Sequence, residues 1–181
     1  PLFFSTRSLF FCLFFLFIHK VGASLLLDEF REHKTTTLAV ELLQITTTSN
    51  SSVWSPSKVT TGGEVLEWKA SASGMLDQIV QTNGIPSFDL SVDRTSQVTI
   101  TATTIDGDGN LTELIINSLN ITNLNLLNAL NLKTLSCTDN QITNLDVQNN
   151  LQLTELFCHS NQLSSLNVSQ NLNLRILACF S

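Results

Sequence analysis

Basic residues are scarce in this 181-residue chain: nine Lys and Arg stand against fifteen Asp and Glu, a formal net charge of −6. Affinity for a phosphate backbone comes from clustered Lys and Arg, so nucleic acid is not an expected partner. Residues that could carry catalysis are equally thin. The three histidines, His19, His33 and His159, have no nucleophile or base at a recognisable spacing. There is no G-x-S-x-G, no H-E-x-x-H and no glycine-rich phosphate loop, so the expectation is a non-enzyme with no cofactor and no metal. Long apolar runs are missing beyond the first two dozen residues, and no second membrane segment is expected.

Those first residues carry their own pattern. Arg7 and a short polar stretch precede an apolar run from Leu9 to Ile18, and Val21-Gly22-Ala23 follows. Charged, apolar and small residues in that order make a secretory signal peptide, expected over residues 1–23. The apolar run is about half of the roughly 20 residues a membrane span needs, which leaves an uncleaved anchor as the alternative. Loss of Arg7 and Lys20 with the signal takes the basic residues from nine to seven, still against fifteen acidic ones. A secreted or cell-surface protein is expected, and without an opening Met the chain reads as a fragment.

A period of 21 organises the C-terminal part. Leu111, Leu132, Leu153 and Leu174 share one column, and Leu114, Leu135, Leu156 and Leu177 another. Two positions on stand Ile116, Cys137, Cys158 and Cys179, then Asn140 and Asn161, then Ile121, Ile142 and Leu163. A unit this short cannot bury its own apolar residues and must stack on its neighbour. In the L-x-C segment side chains alternate, so Leu135 and Cys137 point inward while Ser136 and Thr138 face outward on a short strand. The Asn column falls where the chain leaves that strand. There its amide can bond backbone groups that the turn leaves unpaired, and replacing either Asn with Leu should cost about 1 to 3 kcal/mol.

The pattern L-x-x-L-x-C-x-x-N-x-[IL]-x-x-L-x-V from Leu111 to Ser181 resembles the bacterial 21-residue leucine-rich repeats, internalin-like surface proteins among them. The halves Ile142-Thr143-Asn144-Leu145-Asp146-Val147 and Leu163-Ser164-Ser165-Leu166-Asn167-Val168 echo the first half of each unit. Leu119 stands where the first unit should have Asn, as end repeats often deviate. The resemblance implies a mainly β fold: a solenoid with one short parallel strand per turn over residues 106–181, about 3.5 repeats, truncated. It also implies a non-enzymatic protein that binds an extracellular protein or glycan through the concave strand face. Ser136, Thr138, Asp139, Phe157, His159 and Phe180 are the candidate binding residues. Phe157 and Phe180 form an exposed aromatic patch in this reading, or else merely cover the sheet. The alternative is an accessory region of a larger secreted enzyme or adhesin whose active portion lies beyond Ser181. More repeats or a polar cap are expected there, because the last unit stops with its apolar face open. The three cysteines are expected to be buried free thiols, since stacked side chains run parallel rather than converging as a disulfide requires.

Residues 24–105 predict a β-rich module or cap with a linker. Strand alternation marks Glu64 to Ala70 and Gln97 to Ala102, with turns at Thr61-Gly62-Gly63 and Asn83-Gly84-Ile85-Pro86. A small sandwich-like module around Trp68, Phe88 and Leu90 is expected, or a cap that shields the first repeat. Ala39 to Leu43 reads as strand or helical turn, Thr47 to Ser57 as a flexible linker, and Leu25 to His33 as a short amphipathic helix. Asp106, Asp108 and Asn110 begin like a calcium loop, but Leu111 and Asn117 occupy its Gly and Glu anchors, which favours a plain turn. The four Asn-x-Ser/Thr tripeptides, at Asn50, Asn110, Asn120 and Asn167, are expected to arise by chance and not to be glycosylated.

Overall fold

A computed structural model describes residues 39–91, 97–105 and 110–179. The chain divides into two units, Pro1–Leu38 and Ala39–Ser181, and every described residue belongs to the second. The expected signal segment, the helix at Leu25 to His33, residues 106–109 of the expected turn and Phe180 lie outside the described residues.

The fold is mainly β, with two five-stranded sheets and no helix among the described residues. In the first sheet, β3 (Leu66–Ser71) and β5 (Val98–Thr104) follow the alternation of their sequences. Leu66, Trp68 and Ala70 are fully buried, as are Val98, Ile100 and Ala102. The two strands pair antiparallel with Trp68 opposite Ala102 and Ala70 opposite Ile100, so each large side chain meets a small one across the ladder. Strand β1 (Glu41–Thr47) lies on the far side of β5, where Leu43, Ile45 and Thr47 are buried at a period of two. A strand rather than a helical turn therefore forms here. Strands β4 (Gln78–Thr82) and β7 (Ile121–Asn125) complete the order β4-β3-β5-β1-β7.

The linker expected over residues 47–57 is instead held in place. Trp54 is fully buried and forms an antiparallel bridge with Phe88, their backbone N–H groups donating to each other's carbonyls at 2.8 and 3.0 Å. Their rings lie 6.3 Å apart and tilted by 38°. A single indole buries enough apolar surface to pin a segment that has no periodicity of its own.

The second sheet is built from the 21-residue unit. Strands β6 (Glu113–Ile115), β8 (Thr134–Ser136), β9 (Glu155–Phe157) and β10 (Ile176–Ala178) pair in parallel, each three residues long. Their register matches Leu114 to Leu135, Leu135 to Leu156 and Leu156 to Leu177. A short strand β2 (Lys58–Thr60) adds antiparallel to β6, with Lys58 Nζ 2.7 Å from a Glu113 carboxylate oxygen. Thus β7 reaches back into the first sheet and β2 reaches forward into the second. The segments on either side of residue 105 share both sheets and one hydrophobic core.

Burial along the inward Leu row is uneven. Leu114, Leu135 and Leu156 are fully buried, whereas Leu177 is 42% exposed. Leu135→Ala should cost about 2 to 5 kcal/mol, the range for a fully packed leucine. Leu177→Ala, in the same column, should cost about 1 kcal/mol, because 42% of its surface stays in water after folding. Urea denaturation of the two variants checks the difference; equal losses would contradict it.

Candidate binding face

The parallel pairing sets side chains in rows across the strands. On the outer face one row is Ile115, Ser136, Phe157 and Ala178, and another is Glu113, Thr134, Glu155 and Ile176. The second row was not legible from the L-x-C pattern, which marks only the residues after each inward Leu. The same alternation places the residue before it on the same face.

Ser136 and Thr138 do not present themselves as expected; they are only 8% and 5% exposed. Both are short, and Ser136 sits in register between the larger Ile115 and Phe157. Their hydrogen bonds are also engaged. Ser136 Oγ donates to Asn117 Oδ1 at 2.8 Å, and the Thr138 backbone N–H donates to the same oxygen at 2.9 Å. Thr138 Oγ1 donates to Asp139 Oδ2 at 3.2 Å. These bonds tie both residues to their neighbours in the face.

Phe157 and His159 are half-buried and Asp139 is exposed, so these three form the accessible part of the expected set. Asp139 has φ of 55°, as do its column-mates Ser118 at 56° and Ser160 at 54°. A left-handed residue thus follows β6, β8 and β9 and turns the chain away from the sheet. Asp139 lies in that turn, and its N–H donates to the His159 carbonyl at 3.2 Å.

The turn is held by Asn140. Its Oδ1 accepts the N–H groups of Leu119 and Ile121, both at 3.0 Å, and its Nδ2 donates to the carbonyls of Ile116, Cys137 and Thr138 at 2.8 to 3.0 Å. Asn161 repeats the arrangement one unit on, toward Ile142, Cys137, Cys158 and His159. A second buried Asn pair escaped the sequence reading. Asn150 Nδ2 donates to the carbonyls of Leu126 and Ala129, and Asn171 Nδ2 to those of Val147 and Asn150. The signal was present, since the two are 21 residues apart, but Ala129 breaks the column in the preceding unit.

Cys137 and Cys158 are buried free thiols, and Cys179 is a free thiol exposed to solvent. Burial, reinforced by the adjacent sulfur of the next unit, pushes the Cys137 thiol up to about 12 and the Cys158 thiol up to about 11. The folded chain therefore holds both protons more tightly than the unfolded chain, whose thiols titrate near 9.0. Their contribution to stability is complete below pH 9 and is lost as pH rises toward 11 and 12. Iodoacetamide at pH 8 should modify Cys179 in the folded chain and spare Cys137 and Cys158 until denaturant is added, as read by peptide mass spectrometry. Rapid labelling of Cys137 in the native chain would refute its burial. No group of three or more His, Cys, Asp or Glu among the described residues is placed to hold a metal ion.

No protein-family model matches the chain, and no curated protein matches it. Among solved structures it is similar to the functional domain of InlJ from Listeria monocytogenes, which is described as including a cysteine ladder. The identity is 38%, the match covers 38% of this chain and 16% of the InlJ chain, and the TM-score is 0.37. The chain thus matches well under two thirds of that protein's length.

Proposed function

We propose that this chain is an exported leucine-rich-repeat protein that binds an extracellular protein or glycan through the outer face of its parallel strands and catalyses no reaction. In this reading the 21-residue units form a solenoid, and the preceding β-rich segment caps its first turn. The observation that carries the reading is the register of β6, β8, β9 and β10, which stacks successive units and aligns their outer residues into one continuous surface. Phe157, His159 and Asp139 are the contact residues, an aromatic and two polar groups of the kind that anchor interfaces. Export rests on the signal-like order of residues 1–23.

Arrays of immobilised extracellular proteins and glycans, probed with the labelled chain and with a Phe157→Ala/His159→Ala variant, test this. The chain should bind, and the variant should lose at least tenfold in affinity while circular dichroism shows it still folded. Undiminished binding by the variant would rule out the strand face, and no binding by the parent chain would count against the reading as a whole.

A further inference from the structure

The described residues include four lysines and arginines, and they fall into two pairs of opposite character. Lys58 and Lys69 are neutralised by ion pairs, with Glu113 at 2.7 Å and Asp77 at 2.6 Å. Lys133 and Arg175 form no ion pair with any described residue, and both are exposed. Both also line one groove of about 490 Å³, together with Gln152, Thr154, Leu172 and Asn173. No carboxylate lines it, in a chain where acidic residues outnumber basic ones by fifteen to nine.

The repeat puts these groups there. Lys133, Thr154 and Arg175 occupy one column, each immediately before its strand, and the backbone ties them in series. The Thr154 N–H donates to the Lys133 carbonyl and the Arg175 N–H to the Thr154 carbonyl, both at 2.8 Å. Thr154 Oγ1 adds a bond of 3.1 Å to the Lys133 carbonyl, and Asn173 Nδ2 is anchored on the Leu151 carbonyl at 3.0 Å. With one strand between them, the two cations are rooted about 10 Å apart on a rigid edge. That edge is where the strands begin, whereas Asp139 and Asn140 lie where β8 ends.

We propose that this groove is a second binding site, specific for acidic polysaccharide. Two uncompensated cations at fixed separation suit a polymer whose carboxylates or sulfates recur along its length. The amides of Gln152 and Asn173 supply donors and acceptors for sugar hydroxyls, and Leu172 supplies an apolar surface for the face of a sugar ring. Nucleic acid fits poorly, because the groove has no aromatic side chain for base stacking and the chain as a whole is negative. The site is separate from the strand face and does not depend on the binding proposed there.

Affinity electrophoresis of the whole chain tests the proposal, in gels containing polygalacturonate, dextran sulfate, neutral dextran or a single-stranded oligonucleotide. Retardation is expected with polygalacturonate, with dextran sulfate or with both, which tells carboxylate from sulfate. It should weaken as salt rises. Neutral dextran and the oligonucleotide should have no effect. Lys133→Gln/Arg175→Gln should lose at least tenfold in apparent affinity, while the control Lys58→Gln/Lys69→Gln should bind as the parent does, circular dichroism verifying that both pairs of variants fold. The proposal is overturned if neither acidic polymer retards the chain, if the groove variant binds like the parent, or if the oligonucleotide is bound equally well.

Discussion

Asn140→Leu should destabilise the chain by about 3 kcal/mol or more, because it orphans two backbone N–H groups at roughly 1 to 3 kcal/mol each. Those are the N–H groups of Leu119 and Ile121, which share the Asn140 Oδ1 at 3.0 Å, and the carbonyls of Ile116, Cys137 and Thr138 lose their Nδ2 donor in the same step. The side chain is 8% exposed, so water cannot readily replace these bonds. Asn140→Asp should fall between the parent and the leucine variant, since it keeps the acceptor and loses the donor. Asn161→Leu should cost less than Asn140→Leu. Asn161 is half-buried, and its Oδ1 accepts from Ile142 alone among the bonds described. Urea denaturation of the three variants is the measurement, and equal losses for Asn140→Leu and Asn161→Leu would contradict this account.

Trp68→Ala should be the costliest substitution in the first sheet, at about 3 to 5 kcal/mol. Trp68 is fully buried at the centre of β3, facing Ala102 on β5 and Val80 on β4. Both neighbours are too small to close over the void. Trp54→Ala should cost nearly as much, though by another route, since it also frees the segment that Trp54 holds against Phe88. Thermal and urea unfolding should show both losses, and because the two sheets share one core the whole described fold should melt in a single transition. A Trp68→Ala variant that loses only the first sheet, leaving the parallel strands folded, would contradict that coupling.

The repeat was legible because each unit must bury the same positions against the next. Leu135 and Leu156 could therefore be placed inward, and Asn140 at the strand exit, from spacing alone. Strands β3 and β5 were legible for a similar reason, since one buried face demands a period of two. Trp54 was not legible: its burial rests on one long-range bridge to Phe88, 34 residues away, and leaves no local pattern. The candidate face was read in part. Its outward positions follow from alternation, but exposure does not: Ser136, in register between Ile115 and Phe157, is only 8% exposed.

By itself, then, the sequence determined which residues of each unit face the core and that successive units align, because both follow from a period that every unit obeys. Only the tertiary structure decided that β2 and β7 tie the two segments into shared sheets, that Asn117 takes up the Ser136 hydroxyl and the Thr138 N–H, and that Lys133 and Arg175 line one groove without a carboxylate. Each of these depends on which distant side chains become neighbours and on what surface they leave uncovered, and a one-dimensional pattern records neither.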